Sequence, residues 1–138
     1  MRIDPIKWLP VLLILTGWGS LSGCVVRYPV VGKFVNSSEF FRGRITARSH
    51  PEKGSIEIKG EANKVKCVGR SKMNIAPPGQ EGRVGIACED GRRILATYRV
   101  IAWGKGYGTG TDQDGNRFVF TFGMPDGEAR KFLRKSEP

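Results

Sequence analysis

Short runs of alternating apolar and polar residues, joined by Asp-Gly pairs, constrain the fold of this chain more than any other feature. One Asp-Gly pair follows "RVGIACE" (83–89), and a second separates "GYGTGTD" (106–112) from "NRFVFTFG" (116–123). Alternation with period two is typical of a half-buried strand. Asp-Gly between two such runs predicts a tight hairpin turn, because both central turn positions then need positive φ. The chain is therefore expected to fold as successive antiparallel hairpins.

The same alternation recurs upstream. The runs "FFRGRITAR" (40–48), "SIEIKG" (55–60) and "KVKCVG" (64–69) place on their apolar sides Phe41, Gly43, Ile45, Ala47, Ile56, Ile58, Val65 and Cys67. A stripe of three rings, at positions 118, 120 and 122, is expected to anchor the core. These runs predict an all-β fold, a small antiparallel sandwich or barrel of about seven strands. We expect a single domain over 31–138.

The last segment, 125–135, departs from this pattern. Its apolar residues Ala129, Phe132 and Leu133 recur at helical spacing, and Asp126 is placed to cap the first turn. The sequence therefore predicts a short C-terminal helix.

The N-terminus has the composition of an export signal. Arg2 and Lys7 precede the apolar stretch "LPVLLILTGWG" (9–19), which is too short to cross a bilayer as a helix. Small residues follow, and Leu21-Ser22-Gly23-Cys24 resembles the lipobox of bacterial lipoproteins. A single-pass membrane anchor is the alternative, against which the length and the small residues both argue.

The lipoprotein resemblance implies a signal peptide over 1–23, cleavage before Cys24, and fatty acylation of the Cys24 sulfur and of the new amino group. Two or more acyl chains give a stable anchor in the lipid bilayer. Residues 24–30 are then expected to form a lipidated tether in the periplasm. An Asp after the cysteine would imply retention at the inner membrane, and Val25 in that place favours the outer membrane.

Export changes the meaning of the positive charge. The whole chain has a formal charge of +10, and loss of residues 1–23 removes two bases and one acid, which leaves +9. In the cytosol such a charge suggests nucleic acid as the partner. In the envelope the expected partner is instead an anionic component, such as lipid headgroups or cell-wall carboxylates, or an acidic protein, and no nucleic acid.

With Cys24 assigned to lipid by the resemblance, Cys67 and Cys88 remain as a pair in an oxidising compartment. Both lie on the apolar side of their predicted strands, where two sulfurs are able to meet. The sequence therefore predicts a Cys67–Cys88 disulfide. A metal site is the rival interpretation, but these cysteines and His50 lack the paired spacing of metal ligands, so neither a metal nor a cofactor is expected.

Two candidate binding surfaces emerge. One is a basic sheet face, suited to anionic groups, made by Arg42, Arg44, Arg48, Lys59, Lys64 and Lys66. An ordinary solvated sheet face is an equally good interpretation of these residues. The other is a shallow groove, left bare by glycines at period two, made by Trp103, Gly104, Gly106, Tyr107, Gly108 and Gly110. Close packing of the glycines under the phenylalanine stripe is the favoured alternative.

Catalysis finds little support. The serines lack a nucleophile-elbow setting, and the sequence has a single histidine. Asp112, Asp114 and Asn116 match part of a calcium loop, but their spacing fits a hairpin turn better. The Pro-containing segment 70–82 is interpreted as a loop, more a connection than a recognition surface. We expect no enzymatic activity.

These observations predict a membrane-anchored periplasmic lipoprotein that acts as a binding or structural module of the bacterial envelope, through the basic sheet face. The alternative is a small inhibitor or ligand carrier that uses the Gly-rich strand or the Pro-rich loop.

Overall fold

The computed structural model describes residues 25–48, 53–71 and 78–135. The elements within them are β1 (Val25–Phe34), β2 (Phe40–Arg48), β3 (Lys53–Gly60), β4 (Lys66–Ser71), β5 (Glu81–Cys88), β6 (Arg93–Ala102), β7 (Lys105–Asp112), β8 (Arg117–Phe122) and α1 (Asp126–Lys135). Each strand pairs antiparallel with the next, and β8 pairs with β1, so the sheet closes into a barrel. The all-β prediction is confirmed, with eight strands instead of seven. The signal segment 1–23, Cys24, His50 and residues 72–77 of the predicted loop 70–82 lie outside the described residues.

The additional strand is β1, which occupies the segment expected to be a tether. Val25 already pairs with Arg48, so the prediction of a tether over 24–30 is wrong from Val25 onward, where the chain forms a strand of the barrel. Pro29 lies inside this strand, and its carbonyl accepts a hydrogen bond from Gly123 on the β8 side. In an antiparallel ladder the N and O of one residue face the same neighbour. The nitrogen of Pro29 therefore faces Gly123, which lies just beyond the end of β8, and the β1–β8 ladder itself starts only at Val30.

Both Asp-Gly hairpins form, with a turn geometry that differs from the expected one. Positive φ is confined to the glycines, at 93° for Gly91 and 81° for Gly115. Gly91 N donates to the Cys88 carbonyl, and Cys88 N donates to the Arg92 carbonyl. This is the three-residue loop with a glycine bulge, in which only the glycine needs the left-handed conformation.

The inward side chains pack the interior of the barrel. The Phe118 ring meets Phe34 and Phe41 edge-on, at centroid distances of 5.1 and 6.2 Å. Tyr98 meets Phe122 in the same way at 6.0 Å. Eight of the residues predicted to face inward are at most 2% exposed, namely Phe41, Ile45, Ala47, Ile56, Ile58, Cys67, Phe118 and Phe120. The interior at these levels is therefore a close-packed core.

Helix α1 covers the outside of the barrel where β1 meets β8. Ala129 and Leu133 are buried against a second apolar cluster that contains Val31 and Val119, and Phe132 packs beside them. This confirms the predicted apolar side of the helix. It also explains why Val31, an outward residue of β1, is only 3% exposed.

Ion pairs hold α1 in place. Asp126 is the first helical residue, and its carboxylate accepts a hydrogen bond from Arg130 Nε at 2.9 Å. Arg130 also pairs with Glu61 of the β3–β4 turn, and the carboxylates of Glu61 and Asp126 raise the pKa of Arg130.

In the described part of the chain, no helix has the length and apolar character needed to span a bilayer.

The two ends of the barrel differ in what they carry. We call the end at which β1 begins the proximal end, and it also holds the β6–β7 turn between Ala102 and Lys105. The opposite, distal end holds the hairpin turns at Asp90-Gly91 and Asp114-Gly115.

Candidate functional site

Cys67 and Cys88 form the predicted disulfide, with an S–S distance of 2.05 Å. They are direct partners in the β4–β5 ladder, and both are buried in the barrel interior. The bond therefore links the distal ends of two neighbouring strands within the core.

Three members of the predicted basic face, Arg42, Lys59 and Lys66, form a row across β2, β3 and β4. Acidic groups interrupt this row. Lys66 Nζ lies 3.1 Å from Glu57 Oε1, and Arg42 Nε lies 3.3 Å from Asp126 Oδ1. Such exposed pairs contribute little stability, but they offset the positive charge. The row is therefore a surface of mixed charge.

The other three members lie apart from that row. Arg44 and Arg48 are further along β2 toward the proximal end, and Arg44 faces Glu57 across the ladder. Lys64 lies in the β3–β4 turn at the distal end, with φ of 59°. The single positive face expected from sequence is therefore divided. Alternation along one strand could not show the acids that β3 and α1 place between the bases.

The glycine-rich face of β7 is filled by aromatic rings, so the predicted groove is corrected. Gly106 and Gly108 are buried. A Cβ on Gly106 would lie 2.3 Å from Phe122 Cζ, and one on Gly108 would lie 2.3 Å from Phe120 Cζ. The glycines make room for the phenylalanines of β8, as the close-packing alternative proposes.

The remaining members of the predicted groove do not share one surface. Gly110 packs against the backbone of β6, where a Cβ would lie 2.3 Å from the Leu95 carbonyl oxygen. Gly104 is in the β6–β7 turn with φ of 69°. Tyr107 packs against Phe132 of α1, with ring centroids 5.4 Å apart. Trp103 is 71% exposed at the proximal end.

Asp112 uses its carboxylate to hold the β7–β8 turn. One oxygen accepts the backbone N–H groups of Asp114 and Asn116 at 2.9 and 2.8 Å, and the other accepts Asn116 Nδ2 at 2.9 Å. The hydrogen bond from the Asn116 side chain lowers the pKa of Asp112 below its usual value of 3.8. The hairpin interpretation of this segment is confirmed. Over the described ranges, no group of three or more potential metal ligands is present.

A shallow apolar hollow on the outer face of β4, β5 and β6 was not predicted. It has a volume of about 390 Å³, and its apolar lining includes Val68, Gly85, Ala87 and Leu95. Leu95 is 76% exposed and Val68 is 43% exposed. The residues on either side of Leu95 face inward, so the alternation of "RILAT" does place an apolar residue at an outward position. That exception was the available signal.

Two rows of the ladder build this hollow. One row pairs Arg70, Gly85 and Leu95, and the next pairs Val68, Ala87 and Arg93. The apolar side chains therefore run along a diagonal, with an arginine at each of the two opposite corners. The floor is open at Gly85, where a Cβ would have Leu95 Cδ2 as its nearest neighbour at 3.8 Å.

The two corner arginines give the hollow its charge. Among the described residues, neither Arg70 nor Arg93 has a carboxylate partner, because the ion pairs there use other bases. A free guanidinium is suited to bidentate contact with a carboxylate. The hollow thus complements a surface that offers an apolar side chain flanked by acidic groups.

Comparison with known proteins bears on the fold. The sequence matches no protein-family profile, and no curated protein is similar to it. Among solved structures, the chain is similar to a de novo designed fluorescence-activating β-barrel, with 18% sequence identity and a TM-score of 0.53. The similarity covers 72% of this chain and 91% of the designed one. The chain is thus similar in fold to a designed β-barrel, and this similarity shows the architecture alone.

Proposed function

We propose that this chain is a lipoprotein of the bacterial envelope, anchored through acylated Cys24 on the periplasmic face of the outer membrane, and that its barrel binds another envelope protein. The lipobox resemblance of Leu21-Ser22-Gly23-Cys24 supports the anchor. The Cys67–Cys88 disulfide agrees with an oxidising compartment. The apolar hollow supports binding through the outer wall of the barrel.

The exposure of Leu95 is the observation that carries the binding proposal. Leu95 is 76% exposed and lies beside a second exposed apolar residue, Val68, in a chain whose outward residues are mostly polar. Two such residues together form an apolar patch, and a patch of this kind indicates an interaction site. A glycan or a phosphate group would use the arginines at the corners but leave Leu95 uncovered. A protein segment with an apolar side chain between acidic residues covers both, and is therefore the partner that we propose.

A ligand carrier is the weaker alternative. Its groove on the Gly-rich strand is filled by Phe120 and Phe122. The barrel interior is occupied by rings in contact with each other, as in the trio of Phe34, Phe41 and Phe118. A small ligand would therefore have to displace core side chains.

The anchor is tested by the intact mass of protein extracted from membranes. We expect a chain that begins at Cys24 and carries fatty acyl groups, because the acylated cysteine becomes the N-terminus after cleavage. The Cys24→Ser variant is expected to lose both the acylation and the cleavage. A wild-type mass corresponding to the whole chain from Met1, with a free Cys24 thiol, would refute the anchor.

The binding surface is tested by site-directed photocrosslinking in intact cells. A photoreactive residue at Val68 is expected to give a protein adduct, and Leu95→Lys is expected to lower its yield about tenfold, as loss of one central apolar contact does. Thr111→Lys is the matched control, because Thr111 is an exposed neighbour of Leu95 on β7 and lies outside the hollow. Lysine at either position is solvated, so neither variant should change the fold.

Two results would contradict the hollow as the binding site. One is an adduct whose mass identifies glycan or lipopolysaccharide instead of protein. The other is an adduct whose yield Leu95→Lys and Thr111→Lys change equally.

A further inference from the structure

The proximal end of the barrel is the end from which any Cys24 anchor must leave. Val25 is the first residue of β1, and Cys24 is one peptide bond before it. Consecutive α-carbons are about 3.8 Å apart, so acyl chains on Cys24 would hold this end directly at the bilayer surface. No flexible tether separates them, since Val25 already pairs with Arg48.

The same end carries exposed apolar side chains. Trp103 is 71% exposed, Val25 is 46% exposed and Ile101 is 44% exposed. Tryptophan is enriched where proteins meet the headgroup region of a bilayer, because its ring is apolar and its N–H stays hydrated. These three residues therefore have the position that a belt of interfacial residues has at the headgroup level of a bilayer.

The turn that carries Trp103 is firmly held. Trp103 and Gly104 connect β6 to β7, and Gly104 has φ of 69°. A Cβ on Gly104 would lie 2.5 Å from the Tyr28 ring, so the turn packs closely over the first part of β1. Trp103 thus projects from a rigid turn that lies against the first part of β1.

Charge is distributed in the same direction. Arg27, Arg48 and Arg83 lie on the outer wall in the proximal half, and the part of the chain that the structure describes offers none of them a carboxylate partner. The distal end instead carries most of the acids, among them Glu39, Glu61, Glu89, Asp90, Asp112 and Asp114. The distal end also carries bases, among them Lys64, Lys66, Arg92, Arg93 and Arg117, which offset these acids. A surface of anionic lipid would therefore attract the proximal end more strongly than the distal one.

We infer that the barrel contacts an anionic phospholipid surface at its proximal end through the start of β1 and the β6–β7 turn, with Trp103 and Ile101 inserted among the headgroups. This inference rests on the proposed anchoring at Cys24 and adds the orientation of the barrel. The hollow around Leu95, on the side wall, then faces along the membrane, open to a neighbouring protein.

Quenching of Trp103 fluorescence tests the orientation. The acylated protein is placed in vesicles of phosphatidylethanolamine and phosphatidylglycerol that contain a lipid brominated near its headgroup. Trp8 and Trp18 are removed with residues 1–23, so Trp103 is the tryptophan that remains in the mature chain. We expect brominated lipid to lower its emission, because a tryptophan in an interfacial belt lies at the level of the headgroups, where it contacts the bromine. Trp103→Phe gives the background signal.

The matched control moves the reporter from the β6–β7 turn back along β6. In the double variant Trp103→Phe with Leu95→Trp, the tryptophan is eight residues nearer the distal end, about 26 Å along the chain. Its emission is expected to be unchanged by brominated lipid.

A second pair of variants tests the contribution of charge to the contact with lipid. Arg48→Glu should weaken the quenching of Trp103, and Arg117→Glu, at the distal start of β8, should not.

The outcomes separate this inference from the anchor. If the intact mass shows acylation while Trp103 is not quenched, the orientation is wrong and the anchor stands. If Trp103 is shielded from a water-soluble quencher but untouched by brominated lipid, a second copy covers this end and the inference is overturned. If the mass shows no acylation, the anchor fails, and the inference fails with it, because Cys24 then no longer holds the proximal end at the bilayer.

Discussion

Gly108→Ala is expected to lower the free energy of unfolding by about 3 kcal/mol, the upper part of the range for over-packed cores. The added Cβ would lie 2.3 Å from Phe120 Cζ and 2.7 Å from the Thr97 carbonyl oxygen. The Phe120 ring also packs against the Phe118 ring, with centroids 6.1 Å apart, and the carbonyl belongs to the β6 ladder. Neither neighbour is free to move aside. Denaturant-induced unfolding, followed by circular dichroism, measures the change.

Gly85→Ala is the matched control for this prediction. Gly85 is also a mid-strand glycine, but it faces outward, and its added Cβ would meet nothing nearer than 3.8 Å. Since alanine is less flexible than glycine in the unfolded chain, we expect the free energy of unfolding to rise by about 0.4–1 kcal/mol. Combining Gly108→Ala with Phe120→Leu should recover part of the loss. Equal stability of the two alanine variants would show that the ring against Gly108 is not tightly packed.

The architecture was largely available from the sequence. Period-two alternation identified the inward residues, and the two Asp-Gly pairs identified two of the distal turns. Closure of the sheet could not be predicted from the sequence, because it depends on the pairing of β1 with β8 between residues far apart in the chain. The tether was assigned wrongly because Pro29 interrupts the pattern of "VVRYPVV", and a proline is compatible with a strand only where its neighbour leaves the N–H side unpaired.

The candidate surfaces were less predictable. The basic face was inferred from bases that alternate along single strands, whereas the charge of a surface depends on which acids the neighbouring strands bring beside them, such as Glu57 beside Lys66. The groove was inferred from missing side chains, and the strand next in the ladder supplied the rings that fill the space. The outward position of Leu95, in contrast, could be predicted from the sequence, because it follows from the alternation of β6.

Removing the disulfide is expected to have an effect as large as that of Gly108→Ala. In Cys67→Ala with Cys88→Ala, the free energy of unfolding should fall by about 3 kcal/mol, the chain-entropy value for cysteines 21 residues apart. The physical reason is the length of the connection between β4 and β5. Residues 72–80 join Ser71 to Glu81, so in the unfolded chain the two strands find each other only after a long loop has closed. The crosslink limits that search before folding begins.

Reduction of the wild-type protein separates this effect from packing. Both sulfurs are buried, at 0% exposure for Cys67 and 8% for Cys88, so the alanine variant also loses contacts in the core. The reduced wild type keeps both sulfur atoms, and its stability should fall by nearly the same amount. If reduction leaves the stability unchanged while the alanine variant loses it, the contribution of these residues is packing alone. If both lose it equally, the crosslink acts on the unfolded chain, and the barrel depends on an oxidising compartment for a large part of its stability.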